Sequence, residues 1–170
     1  MNILVTGCAG FIGYHVVKKL LSQGHSIVGI DDLNNYYSPE LKTSRLAQLG
    51  IKTSEITPNN PVHSTNGFCF IQADINETSL YTTILKNREI EAICHLAAQA
   101  GVRYSIENPK QYISSNIDGF FSIIEYCRTN PHIKLVFASS SSVYGSNTSI
   151  PYKETDITDT PISLYAATKK

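Results

Sequence analysis

Five short apolar runs, spaced along the chain and mostly followed by segments with helical periodicity, constrain what this sequence can fold into. "NILVT" at 2–6 is brief, apolar and ends in glycines, which predicts a buried strand. "FIGYHVVKKLL" at 11–21 repeats its apolar residues at helical spacing and meets Gly24 as a stop signal. "SIVGID" at 26–31 is a second strand, and "SPELKTSRLAQL" at 38–49 a second helix, with Ser38 as N-cap and Pro39 in its first turn. Residues 51–67, rich in Pro, Asn, Ser and Thr, break the rhythm and predict a surface excursion. The alternation then resumes: strand "FCFIQAD" at 68–74, short helix "SLYTTILKN" at 79–87 and strand "AICHLA" at 92–97. A long helix at 109–129, strand "KLVFASS" at 134–140 and a last helix from about Ser163 complete it. Such alternation demands right-handed crossovers, hence a parallel sheet covered on both faces.

Between the first strand and the first helix stands "TGCAGFIG", with Gly7, Gly10 and Gly13 in the spacing GxxGxxG. A dinucleotide pyrophosphate needs backbone N–H groups at close approach and a positive helix end, and missing Cβ atoms permit both. Gly7 would make the tight turn, Gly10 the close approach and Gly13 the helix–strand contact. The glycines alone also fit a tight turn without ligand; the preceding strand, the following helix and an acid ending the second strand favour the nucleotide. That acid is Asp31, 18 residues after Gly13, placed for the adenosine ribose. A carboxylate there repels a 2′-phosphate, so NAD is expected over NADP. Asp32 is the alternative partner, and Asp74, before Ile75, either meets the adenine edge or caps the strand end. The expectation is a Rossmann-type doubly wound α/β sheet, strand order 3-2-1-4-5, with 1–170 forming one NAD-binding domain.

In such a sheet the ligand crevice lies at the carboxyl ends of the strands. The fifth strand runs out into "ASSSSVYG", where Ser139, Ser140, Ser141 and Ser142 compete for a hydroxyl role or simply form a turn. Tyr165 and Lys169, four apart on a predicted helix, share one face. An ammonium, and an oxidised nicotinamide, stabilise a nearby phenolate, so the pair reads as a tuned base.

Composition narrows the rest. With 14 basic and 14 acidic residues the net charge is zero, which argues against a nucleic-acid surface. No apolar run is long enough to span a bilayer. The four cysteines form no CxxC pair, so no metal site is expected, and a reduced, cytoplasmic compartment is.

"TGCAGFIG", "YAATK" and "HLAAQAG" together resemble the extended short-chain dehydrogenase/reductase family of NAD-dependent epimerases and dehydratases. "DDLNNYYSPELKTSRLAQL", "HLAAQAGVRYSIENP", "ASSSSVYG" and "SLYAATKK" are most similar to its UDP-glucuronate 4-epimerase group. The resemblance implies Ser140, Tyr165 and Lys169 as catalytic residues. It implies cofactor contacts from Phe11, Ile12, Asp31, Asp74, Ile75, Leu96, Ala97, Ala98, Gln99 and Asn116. Arg103 would meet a sugar-nucleotide phosphate or carboxylate, or stand on the surface. The implied substrate is a UDP-sugar, UDP-glucuronate or UDP-galacturonate, epimerised through transient oxidation at C4. The implied chain is about twice as long, so a carboxy-terminal substrate domain is expected beyond this part. A 4,6-dehydratase or decarboxylase of the same family, or a non-catalytic NAD-binding module, are the other expectations. A dehydratase would carry an acidic pair where Ser141 and Ser142 stand. The resemblance also implies pairing through the long helix and the tyrosine helix, so a homodimer is compatible; the "GFFSIIEYC" face would serve such pairing or the core, and the core is expected.

Overall fold

In the computed structural model, which describes every residue from Met1 to Lys170, six strands form one sheet. They are β1 (Asn2–Thr6), β2 (Ser26–Asp31), β3 (Pro61–His63), β4 (Phe68–Gln72), β5 (Ala92–His95) and β6 (Lys134–Phe137). The order is β3-β4-β2-β1-β5-β6, parallel except for β3. Without β3 this is the expected 3-2-1-4-5 arrangement. Strand β1 takes the middle because both its faces are apolar: Ile3 and Val5 point to one side, Leu4 to the other, and Leu4 and Val5 are fully buried.

Each face carries its own core. Helices α1 (Phe11–Ser22) and α2 (Pro39–Gln48) cover one, burying Tyr14, Val17 and Leu46 with Ile3, Val5 and Phe68. The other packs Leu4, Val28, Ile71 and Ile93 beneath Leu80, Leu85 and Ile123. Burying each large aliphatic side chain contributes about 1.5–3 kcal/mol, so the two layers are the main source of stability.

Several expectations need correction. The 51–67 excursion contains β3, paired antiparallel with β4. An edge strand tolerates Pro61, which lacks the donor a central strand needs, and Val62 gains burial in the core. The 79–87 helix is a single π turn, Leu80–Ile84. Leu80 and Leu85 are both buried and Leu85 N–H donates to Leu80 O at 2.8 Å, so five-residue spacing closes the turn. The 109–129 helix comes in three segments: α4 (Pro109–Tyr112), a π segment (Ile113–Asp118) and α5 (Gly119–Thr129). A short helix, α3 (Val102–Glu107), precedes it where none was expected.

Lastly, the sheet is not covered throughout. Val136 and Phe137 on the edge strand β6 are 67% and 50% exposed, although the Phe137 ring meets that of Phe120 on α5 at 4.9 Å between centroids. Likewise the "GFFSIIEYC" face buries Ile123 but leaves Phe121 and Ile124 exposed. The last helix, α6 (Leu164–Lys169), starts after Ser163, whose hydroxyl caps it by accepting from Ala166 N–H at 3.0 Å. No helix is long and apolar enough to cross a membrane.

Candidate active site

Strands β4, β5 and β6 end two or three residues earlier than their apolar runs, and the residues after the strand ends line a cavity of about 600 Å³ at the carboxyl edge of the sheet. Its walls come from the ends of β1, β2, β4, β5 and β6, with Gly7, Asp31, Asp74, Leu96 and Ala138 each marking one strand. Strand order reverses around β1, which is where an open α/β sheet leaves a crevice.

Thr6 explains why β5 stops. Its hydroxyl accepts from Leu96 N–H and Ala97 N–H, both at 3.1 Å; Leu96 N–H also reaches Thr6 O at 3.3 Å, whereas Ala97 N–H has left the strand ladder. Having accepted twice, the hydroxyl gives its one proton to His95 Nδ1 at 2.8 Å. His95 is buried and stacked on Phe120. Burial, and next the charge on Lys169, hold its imidazole down at about 4, so it is neutral at pH 7. Neither Thr6 nor His95 stood out in the sequence, where both read as ordinary strand residues.

The glycine turn is tight in the way its spacing suggests. Gly7 has φ +69°, and a Cβ there would meet Ala97 N at 2.9 Å. A Cβ on Gly13 would lie 2.0 Å from Gly7 O, so the helix can approach the strand only with glycine. Gly10 stands at the start of α1 without a side-chain cap, leaving first-turn N–H groups facing the cavity. Phe11 and Ile12 line the same wall, 69% and 60% exposed.

Asp31 is buried where β2 ends. Its carboxylate accepts from Ala9 N–H at 3.1 Å and Leu33 N–H at 3.0 Å, and pairs with Lys42 Nζ at 3.2 Å. Lys42 is itself buried and reaches Asp32 at 3.7 Å and Asn34 Oδ1 at 3.3 Å. The lysine sits on α2, eleven residues from Asp31, where sequence spacing carries no signal. Arg45, from the same helix, donates to Ala9 O. Asp74 lines the cavity and also caps locally, accepting from Asn76 N–H at 2.9 Å. Ile75 lies beside it, buried.

Leu96, Ala97, Ala98 and Gln99 form the wall after β5. Gln99 Nε2 is buried without a hydrogen-bond partner. Asn116 does not line the cavity. Its side chain is buried, accepting from Gln99 N–H at 2.7 Å and donating to Gln99 O at 3.0 Å and Thr168 Oγ1 at 2.9 Å. It therefore joins the cavity wall to α6. Its neighbours Ser114 and Ser115 face the cavity instead. The π segment sets which residues turn inward, and helical spacing alone could not find it.

Tyr165, Lys169 and Ser140 lie outside the cavity lining but adjoin it. Lys169 Nζ donates to Ala138 O, a lining residue, at 3.1 Å. Burial pushes the Lys169 ammonium below the ordinary lysine value. The Tyr165 ring stands edge-on to Tyr112, centroids 5.9 Å apart. Ser139 donates to Lys169 O at 2.8 Å. Ser140 turns its hydroxyl to Ser142, accepting from the amide and bonding the hydroxyl at 3.2 Å, so it starts the 3₁₀ turn Ser141–Tyr144. Helix α6 packs on that turn, on α3 and on α4. Arg103 sits on α3, on the outside of the wall.

Sequence and structure comparisons agree with this arrangement. The family model described as GDP-mannose 4,6-dehydratase matches residues 4–170. Over 171 residues the chain is 45% identical to UDP-glucuronate 4-epimerase 4 of Arabidopsis thaliana, covering all of this chain and 36% of that protein. It is 46% identical to Protein CapI of Staphylococcus aureus over 170 residues, covering all of this chain and 47% of that one. The crystal structure of UDP-glucuronic acid 4-epimerase from Bacillus cereus, in complex with UDP-glucuronic acid and NAD, superposes with a TM-score of 0.79 at 35% identity. That match covers 99% of this chain and 49% of the solved one. The chain thus spans between about a third and a half of the length of the relatives it matches. By fold, by the glycine turn and by the match along nearly its whole length, this chain belongs to the GDP-mannose 4,6-dehydratase family, within the extended short-chain dehydrogenase/reductases.

Proposed function

We propose that the cavity binds NAD, and that the chain is the dinucleotide-binding part of a UDP-sugar 4-epimerase acting on UDP-glucuronate or UDP-galacturonate. The observation that carries this reading is the uncapped start of α1. It faces the cavity between a buried acid at the end of β2 and the Tyr165/Lys169 helix beside β6. The residues fit the cofactor. Gly7 and Gly13 leave a cradle that a Cβ would fill. The first-turn N–H groups of α1 suit a pyrophosphate. Asp31 keeps one free acceptor site, on Oδ2, for a ribose hydroxyl and repels a 2′-phosphate; Lys42 is already held by Asp31, Asp32 and Asn34, and Arg45 NH1 by Ala9 O. Gln99 Nε2 is a buried donor with no acceptor of its own, and it lines the same cavity. Phe11, Ile12, Asp74, Ile75 and the Leu96–Gln99 wall complete the pocket.

When bound there, NAD supplies a reversible hydride acceptor for the sugar C4. The chain's own residues manage the proton. Tyr165 takes it from the 4-hydroxyl and returns it after the sugar has turned. Ser140, once its hydroxyl turns from Ser142, holds the oxygen. Lys169, anchored on Ala138 O, stabilises the phenolate. Asn116 keeps the wall and the tyrosine helix together. The same reading pairs two copies through the outer face of the π segment and α5. There Ile113, Ile117, Phe121 and Ile124 stand 43%, 44%, 62% and 42% exposed at helical intervals.

The name of the matching family model keeps a 4,6-dehydratase as a second reading. Ser141 and Ser142 offer no acid to eliminate water, which favours epimerisation. Calorimetry with NAD and NADP, then product analysis with UDP-glucuronate and with UDP-glucose, which carries the 6-hydroxyl a 4,6-dehydratase eliminates, on the chain extended to the length of its relatives, tests all of this. NAD is expected to bind at least about tenfold tighter than NADP. Tyr165→Phe is expected to cut turnover by about 10²–10⁴. Tighter NADP binding, a deoxygenated product, or normal turnover by the variant would each sink one part of the reading.

A further inference from the structure

Tyr112 takes no part in the chemistry above, yet it is fully buried against the candidate base. Its ring meets the Tyr165 ring edge-on, at 5.9 Å and 74°. Its hydroxyl reaches two consecutive carbonyls, Ala100 O at 2.7 Å and Gly101 O at 2.5 Å. A phenol has one proton, so the bond is shared between them. Tyr36 donates to the same Ala100 O at 2.8 Å. Burial, and then the neighbouring phenol of Tyr36, push Tyr112 up to about 12, so it remains a donor at neutral pH.

The turn it grips has few alternatives. Gly101 has φ +104°, and a Cβ there would stand 3.1 Å from the Tyr36 hydroxyl. This turn closes the wall that begins at Leu96. Four residues after Tyr112, Asn116 takes hold of Gln99 and Thr168. The 112–116 stretch therefore holds three consecutive wall residues, 99, 100 and 101. It also touches α6 at two points, the Tyr165 ring and the Thr168 hydroxyl. Wide π turns recur at functional sites because they re-aim side chains in this way.

We propose that Tyr112 is a positioning residue. Its hydroxyl pins the Ala100–Gly101 turn and its ring sets the Tyr165 ring, so the cavity wall and α6 hold together as one unit. The proposal rests on the reading of Tyr165 as the base, but the coupling can be measured without turnover. The hydroxyl and the ring act separately, so two variants separate them. Tyr112→Phe loses the pin and keeps the ring; Tyr112→Leu loses both. Tyr14→Phe, which removes a buried phenol bonded to Gln48 on the opposite face, is the control.

The test is amide exchange on the 170-residue chain together with the ring resonances of Tyr165, assigned by Tyr165→Phe. In Tyr112→Phe, exchange at 99–104 is expected to quicken about tenfold while the Tyr165 resonances stay in place. In Tyr112→Leu, exchange should quicken about tenfold at both 99–104 and 164–169, and the Tyr165 resonances should move toward those of an exposed tyrosine. Amides of β1 and β2 should not change in either. Wild-type exchange at 164–169 and unmoved Tyr165 resonances in Tyr112→Leu would overturn the proposal. So would equal acceleration at every amide, the pattern of a residue that only adds global stability. Calorimetry with NAD on the wild-type chain decides the cofactor reading separately, since the exchange pattern needs no ligand.

Discussion

His95 shows how one residue can be silent in a sequence and consequential in a fold. Its neighbours in "AICHLA" are apolar, and nothing in the pattern separates it from them. Buried between Thr6 and Phe120, it takes the only proton the Thr6 hydroxyl can give, and so fixes the amides that wall the cavity. Burial first, and Lys169 second, lower its pKa from 6.5 to about 4. The unfolded chain binds a proton there near 6.5 and the native chain does not until about 4. Stability from this residue is therefore complete above pH 6.5 and is lost as pH falls toward 4. The loss amounts to about 3 kcal/mol across that window. Urea unfolding of His95→Gln, which keeps an acceptor for Thr6, should show a flatter dependence on pH between 4 and 6.5. Equal slopes for variant and wild type would contradict the buried neutral imidazole. Asp31 is the opposite case. Its place at the end of an apolar run was readable, whereas Lys42, which holds it, was not, because the pair meets only when α2 folds back over the sheet.

At the scale of elements, period and punctuation located most of what forms. Ser38 caps its helix as its position suggested, and Ser163 caps the last helix where that helix was expected to begin. The misses share a cause. In "SLYTTILKN" the buried pair is Leu80 and Leu85, five apart, and the turn widens to place both in the core. A helical reading expects four. Leu85→Ala should cost about 3 kcal/mol of stability, against less than about 0.5 kcal/mol for exposed Thr83→Ala. Chemical denaturation measures both, and similar costs would mean that the side chain at 85 is not buried as described. The π segment Ile113–Asp118 likewise puts Asn116 in the buried contact with Gln99 and Thr168 and Ser115 in the cavity lining, a division that helical spacing could not give. Strand β3 was hidden because three residues with a proline give no periodic signal; pairing with β4 supplies the donors and acceptors it lacks alone.

Across the whole molecule, the sheet separates two cores, and part of the apolar surface is left uncovered by them. The outer stripe at Ile113, Ile117, Phe121 and Ile124 is the surface through which two copies pair in the proposed reading. Placing a charge there, as in Phe121→Glu, should shift sedimentation from dimer to monomer at micromolar concentration while leaving NAD affinity within about threefold. A wild-type chain that sediments only as a monomer would remove the pairing from the proposal. The stripe could not be assigned from sequence, since a helix with apolar residues on nearly every side reads as buried whichever face meets the sheet.

Sequence alone determined the alternation of strands and helices, the parallel order, the glycine turn and the acid at the end of β2. These depend on contacts within a few residues or on handedness that every L-peptide obeys. Tertiary structure decided which polar side chains meet: Thr6 with His95, Asp31 with Lys42, Asn116 with Gln99 and Thr168, Tyr112 with the Ala100–Gly101 turn. Each pair joins segments distant in the chain, and its energy exists only once the sheet has brought them within hydrogen-bond reach.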